Sequence, residues 1–263
     1  MEGRSVSETP RQWFEIKNAA AEVAEVSIFD EISPWGVTAQ DFVSALSGIT
    51  APTVNLHLNT PGGDVYDGIA IYNSIKDHPA RFNAYIPGLA ASIGTVIAMA
   101  ADSITVAPHA RMMIHDAWMI AAGNAEDFAK HTARLEATSQ NIAEIYAERS
   151  QGKTADEWRA LMKAETWFTD QEAVDAGIAD AVGRSNDSKS LRQAALFNLK
   201  RFRDGERVAA RLREEAGDEP IEETPEELMP ESLRDPDLIQ AAIHRYEQEQ
   251  AALEAALSPS ARR

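Results

Sequence analysis

From Ala24 to Val182 the spacing of apolar positions switches repeatedly between a period of two and helical spacing. Val23 to Phe29 reads as a short strand. Thr38-Ala39-Gln40-Asp41 reads as a helix N-cap, with Phe42, Val43 and Leu46 following at helical spacing. Thr53 to Leu58 alternates like a strand, and Asn59-Thr60-Pro61-Gly62-Gly63 breaks it before Ile69, Tyr72 and Ile75 mark a helix over Val65 to Lys76. The cycle then repeats. Arg81 to Ile86 is a predicted strand, Pro87 to Ala91 a turn, and Ser92 to Ala101 a helix of small residues, followed by strands near Ile104–Val106 and Met112–Ile114. A long helix is predicted over Ala125 to Arg149. Thr154-Ala155-Asp156-Glu157 and Thr169-Asp170-Gln171-Glu172 are capping boxes, Gly177 suits a helix C-cap, and Ile178 to Val182 closes the series. Such alternation predicts an α/β protein with a mainly parallel sheet.

Past Gly183 the pattern changes. Lys200, Arg201, Arg203, Arg207, Arg211 and Arg213 form a basic run, and Glu214 to Asp237 is rich in acids and proline. Too few apolar residues remain there to offset the entropy of ordering, so an extended segment is expected. Leu238, Ile239, Ala242, Ile243, Tyr246, Leu253 and Leu257 then fall on a helical stripe. The expected division is an N-terminal segment at 1–22, a main domain at 23–183, a charged and largely extended linker at 184–237, and an amphipathic helical tail at 238–263.

Composition narrows the possible chemistry. The 263 residues contain no cysteine, which excludes disulfides, thiolate nucleophiles and thiolate metal sites and fits a reducing compartment. The net charge is −17, an unfavourable balance for gripping nucleic-acid phosphates. The uncharged window from Ala84 to Ala101 is interrupted by Pro87 and Gly88, and it reads as strand, turn and buried helix rather than a membrane span. Met1-Glu2-Gly3-Arg4 opens a polar N-terminus with no secretory pattern. A cytoplasmic protein is therefore expected.

Three positions could carry chemistry. Ser92 follows a strand and a glycine-containing turn and opens a helix, where a turn exposes the hydroxyl and helix N–H groups face developing negative charge. Serine at such a place is also the ordinary N-cap residue. Gly62-Gly63 is a second strand-to-helix loop whose backbone N–H groups could face an anion, although an ordinary turn has the same composition. No Lys and Ser/Thr follow it, so a phosphate loop is not indicated. His115 ends an apolar strand, where either a general base or a structural histidine fits. His57, His78, His109, His131 and His244 rank lower, and no pair of histidines has metal-site spacing.

Taken together these segments resemble the Clp protease proteolytic subunit family. Asn59-Thr60-Pro61-Gly62-Gly63 is similar to the family's Asn-Ser-Pro-Gly-Gly. Gly88-Leu89-Ala90-Ala91-Ser92-Ile93-Gly94 resembles its Gly-Gln-Ala-Ala-Ser-Met-Gly nucleophile segment, and Arg111-Met112-Met113-Ile114-His115 its Arg-Val-Met-Ile-His segment. The resemblance spans roughly Val23 to Val182. It implies a ClpP/crotonase-type fold of stacked βαβ units with a C-terminal extension, and a serine endopeptidase that needs no metal or cofactor. Ser92 is the implied nucleophile, His115 the base, and Gly63 and Ile93 the oxyanion-hole residues. Ring-forming homo-oligomers, in heptameric rings, and protein substrates are the implied partners.

The third member departs from the family. Asp-Arg-Phe-Leu-Ser-Ala is replaced by Glu165-Thr166-Trp167-Phe168-Thr169-Asp170, so Glu165 stands where the family has aspartate. Asp170, Asp116 and a Ser–His dyad are the alternatives. The Glu-Thr-Trp-Phe-Thr motif and the charged extension resemble phage and prophage head maturation proteases, which implies processing of capsid or scaffold proteins in the host cytoplasm or the assembling prohead. A housekeeping subunit fed by an AAA+ unfoldase is the alternative. From other classes come a crotonase-fold acyl-CoA enzyme and a vestigial structural assembly protein.

Overall fold

The computed structural model describes residues 13–32, 38–150, 152–183, 193–194 and 196–217. The predicted amphipathic tail at 238–263, and the acid- and proline-rich stretch past 217, lie outside them. Among the described residues no helix is long and apolar enough to cross a membrane.

Two sheets organise the α/β core. The larger has the order β1-β2-β3-β4-β6-β9, formed by Phe14–Lys17, Val23–Phe29, Thr53–Asn59, Arg81–Ile86, Ser103–Val106 and Ala181–Val182. All its pairings are parallel except β1–β2, so each later strand is added beside an earlier one through a crossover. Helices α1 (Ala39–Ser47) and α2 (Val65–Asp77) are two of these crossovers. Strands β2, β3 and β4 alternate buried and partly exposed positions, which matches the period of two in the sequence. The smaller sheet, β5-β7-β8, comprises Leu89–Ala91, Arg111–Ile114 and Thr166–Thr169. An isolated bridge between Thr60 and Ala90 ties the two sheets together.

Several expectations of the local sequence are met. Thr38, Thr154 and Thr169 each form a complete capping box, opening α1, α5 (Ala155–Lys163) and α6 (Asp170–Ala176). Gly177 closes α6 with φ 83°, the left-handed geometry that glycine adopts without steric penalty. Helix α4 runs over Ala125–Ser150 and buries Ile142, Ala143, Ile145 and Tyr146 in its second half.

Three elements differ from expectation. Leu89 to Ala91, expected in a turn, is a strand, because pairing with β7 satisfies its backbone. Phe14–Lys17, expected in an N-terminal segment, pairs antiparallel with β2 and packs Trp13 and Phe14 on Phe42. Residues 205–215, expected in an extended linker, form a helix, α7 (Gly205–Glu215). The basic run had masked an apolar face: Val208, Ala209 and Leu212 are buried against Leu89, Ala91 and Met113. Helix α7 is also held by an ion pair 2.9 Å long between Glu215 and Arg111, whose side chain is only 8% exposed.

Candidate active site

Pairing in the smaller sheet places the candidate residues. Strand β5 runs parallel to β7 with Ala91 beside Met113, and the Ser92 N–H donates to the Met113 carbonyl at 2.8 Å. Ser92 and His115 therefore leave neighbouring strands at the same end. The Ser92 Oγ lies 2.7 Å from His115 Nε2, within hydrogen-bond reach.

Ser92 sits at the N-cap position of α3 (Ile93–Met99), but its side chain makes no cap hydrogen bond. Its backbone has φ 55° and ψ −130°, an unfavourable conformation for a residue with a Cβ. The ordinary capping role is thus not the one this serine plays. Thr95 secures the turn by donating to the Ser92 carbonyl at 2.6 Å, and it also bonds the buried Tyr146 hydroxyl on α4. Helical spacing gave no reason to single out either residue.

The Asn59–Gly63 segment packs against the same turn. Asn59 is fully buried, and its side-chain carbonyl accepts from the Leu89 N–H at 2.9 Å. The Thr60 hydroxyl donates to the Asp30 carbonyl at 2.6 Å and accepts from the Gly62 N–H at 3.1 Å. These bonds fix the loop that carries Gly63. Gly63 and Ile93 line one cleft with Ser92 and His115, and Ile93 is the first residue of α3, whose N–H has no acceptor within the helix. Tyr66, Trp118, Met119 and Val96 add apolar walls to this cleft of about 520 Å³.

The register of β7 and β8 separates the candidate acids. These strands are antiparallel, with Ile114 opposite Thr166 and Arg111 opposite Thr169. The ladder ends at the Ile114–Thr166 pair, so His115 and Glu165 both adjoin that end, while Asp170 adjoins the other. There Asp170 accepts from the His109 N–H at 3.1 Å. Asp116 follows His115 but is paired with Arg159, which also binds Glu136 at 2.6 Å. Glu165 has φ 54°, and its Oε1 accepts from the Asp204 N–H at 3.4 Å. Among the described residues no carboxylate forms a hydrogen bond or ion pair with His115. The structure thus brings Ser92, His115, Gly63 and Ile93 together, with Glu165 just beyond the ladder and bonded elsewhere.

The His115 pKa is held down, to about 4, chiefly by burial and further by the Arg201 guanidinium, with Asp116 acting in opposition. A general base works in its neutral form, and a lowered pKa keeps the imidazole neutral at every pH above that value. Reaction of Ser92 with an acylating or phosphonylating reagent is therefore expected to stay flat on the acid side and fall only near pH 4. Arg201→Ala should move this limb upward, toward the ordinary histidine value of 6.5. A wild-type limb at or above 6.5 in a pH–rate profile would contradict the assignment.

Among the described residues no group of three or more His, Asp or Glu side chains is placed to hold a metal ion. A strained serine facing a strand-end imidazole on an α/β scaffold is an arrangement that serine-nucleophile hydrolases use. The chain belongs to the Clp protease family, whose model matches residues 8–186. It is 35% identical over 131 residues to ATP-dependent Clp protease proteolytic subunit 2 of Corynebacterium glutamicum, covering 49% of this chain and 65% of that protein. Subunit 1 of Corynebacterium jeikeium is 34% identical, with 49% and 69% covered, and subunit 1 of Chlamydia abortus is 31% identical, with 48% and 67% covered. The chain thus spans just under two thirds of the first of these relatives. The ClpP-type fold expected from the sequence motifs agrees with the family match and with the parallel, stepwise sheet.

Proposed function

We propose that this protein is a serine peptidase that hydrolyses peptide bonds in protein substrates, as a proteolytic subunit of Clp type. The observation that carries the reading is the 2.7 Å contact between Ser92 Oγ and His115 Nε2 on a strained turn. Ser92 Oγ attacks the scissile carbonyl carbon as His115 Nε2 takes its proton. The new C–O bond leaves a negative oxygen facing the Gly63 and Ile93 N–H groups. His115 then protonates the amine nitrogen as the C–N bond breaks. Water, deprotonated by His115, attacks the acyl-enzyme, and the proton returns to Ser92 Oγ as the acid product leaves. Glu165, which adjoins the same end of the β7–β8 ladder as His115, is our candidate for the acid that orients the imidazole.

The three relatives named above are proteolytic subunits of bacterial ATP-dependent proteases. Their similarity favours a subunit that forms rings, with heptameric rings as the expectation, and receives substrate from an ATP-driven unfoldase. Capsid or scaffold processing rests on the Glu-Thr-Trp-Phe-Thr motif and the C-terminal extension alone, and these relatives lend it no support. An acyl-CoA enzyme would have no use for the Ser92–His115 contact.

Treatment with a fluorophosphonate should attach one phosphonyl group at Ser92, as read by peptide mass spectrometry. Label that forms at another residue would overturn the peptidase reading, as would its absence from every folded form of the protein. Degradation of casein that rises with an AAA+ unfoldase and ATP would support the subunit assignment. Unassisted cleavage of capsid protein, with casein untouched, would favour the processing role instead.

A further inference from the structure

The family match ends at residue 186, yet residues beyond it pack on the catalytic residues themselves. Leu199–Arg201 form a short 3-10 turn, and Leu199 and Phe202 are buried with Leu89, Ala91 and Met113 of the sheet that carries Ser92 and His115. The Phe202 ring stands edge-on to the His115 imidazole, with centroids 5.4 Å apart and planes at 85°, and makes a second edge contact with Trp167 at 6.0 Å. Arg201 stacks its guanidinium over the Phe202 ring at 5.0 Å. It also donates to the Pro61 carbonyl at 3.1 Å and pairs with Glu31, so it grips the loop that carries Gly63. On the other side, Arg203 donates to the Ala164 carbonyl at 3.3 Å, and the Asp204 N–H takes the Glu165 carboxylate.

Four consecutive residues therefore touch the glycine loop, the base and the candidate acid in turn. Arg201 and Phe202 also line the cleft that a substrate must enter. Glu165 and His115 are the residues that adjoin the last pair of the β7–β8 ladder, Ile114 and Thr166. What engages the Glu165 carboxylate is the Asp204 amide, and what stands against the imidazole is the Phe202 edge.

We propose that residues 199–204 are an intramolecular strap that keeps the site latent, holding Glu165 off His115 and occupying the cleft until the strap is displaced. The proposal rests on the peptidase reading of Ser92 and His115. Helix α7 is its anchor: the Arg111–Glu215 pair and the burial of Val208 and Leu212 hold the segment's far end on the domain. Helix α7 keeps this anchorage of its own, so the strap can leave while α7 stays. A substrate chain competing for the cleft walls, or a neighbouring subunit binding the segment, would release it.

The test measures fluorophosphonate labelling rates of Ser92 in the full chain. The double variant Arg201→Ala/Phe202→Ala is expected to label at least tenfold faster than wild type. Adding Glu165→Gln should then cost at least threefold more in the strap variant than in the wild type, because only the released acid supports the imidazole. Since Phe202 is buried, Asp204→Pro provides a second route. It deletes the N–H that holds Glu165 among the described residues, at an N-cap position whose side chain makes no capping bond, and should also accelerate labelling. A folded double variant that labels no faster than a readily labelled wild type, or equal Glu165→Gln losses in both backgrounds, overturns the strap and leaves the peptidase reading intact. If the double variant does not fold, unchanged labelling of Asp204→Pro overturns it. Absence of label in every folded form overturns the peptidase reading and the strap with it.

Discussion

Ser92→Ala is expected to abolish peptide hydrolysis, with a loss of roughly a thousand- to a million-fold in kcat/KM, while the protein folds as before. The reason for the first half is that Ser92 Oγ is, among the described residues, the nucleophilic atom bonded to His115 Nε2. The second half follows from what the hydroxyl does not do. It makes no helix-capping bond, so its removal forfeits one partly exposed hydrogen bond, worth about 1 kcal/mol. The strained φ of 55° adds a contrast. Ser92→Gly relieves the Cβ clash and should melt above Ser92→Ala, by the equivalent of about 1 kcal/mol, while being equally inactive. Thermal denaturation and a continuous peptidase assay on the two variants suffice. A Ser92→Ala variant that retained a tenth of the activity would remove the serine from the mechanism.

Gly63→Ala is expected to damage stability and activity together. A Cβ on Gly63 would lie 1.9 Å from the Ile32 carbonyl oxygen and 2.7 Å from its carbon, and backbone cannot rotate out of the way as a side-chain tip can. The φ of 151° adds strain for any residue other than glycine. The loop must therefore part from Ile32, where it now makes a bridge and the bond from the Asp64 N–H at 3.0 Å. We expect a loss of roughly 2–4 kcal/mol in unfolding free energy from the broken bond and the residual strain. Activity should fall by about a hundred- to a thousand-fold, the usual effect of displacing an oxyanion donor. Gly48→Ala is the control, since its Cβ would meet only the Ala45 carbonyl at 3.3 Å, at the end of α1 and away from the cleft. Urea melts and peptidase rates for both variants decide the matter. Wild-type rates in Gly63→Ala would place the oxyanion elsewhere.

Much of the scaffold was legible in the sequence because it is encoded locally. Strands β2 and β4 begin and end where the period of two begins and ends, and three threonine capping boxes mark helix starts through bonds spanning three residues. Ser92 and His115 could be paired from their motifs, although each alone also suited a cap or a structural role. Strand β5 resembles a turn in the sequence because three residues carry too little periodicity, and only pairing with β7 defines it. Helix α7 was hidden by its charge: the arginines dominate the composition, while Val208, Ala209 and Leu212 supply the buried face.

The sequence by itself determined the order of the longer strands and helices between Val23 and Val182, the serine-then-histidine order, and the absence of thiol chemistry, since each depends on residue type and short-range spacing. That Glu165 adjoins the same end of the β7–β8 ladder as His115, and Asp170 the other, was decided by tertiary structure, because this antiparallel register joins residues about fifty positions apart. The same holds for the strap. Nothing in the spacing of Arg201, Phe202 and Asp204 indicates that they reach Pro61, His115 and Glu165. That contact arises only when the apolar face of α7 finds its place on the sheet, a burial driven by surface that the sequence distributes but does not pair.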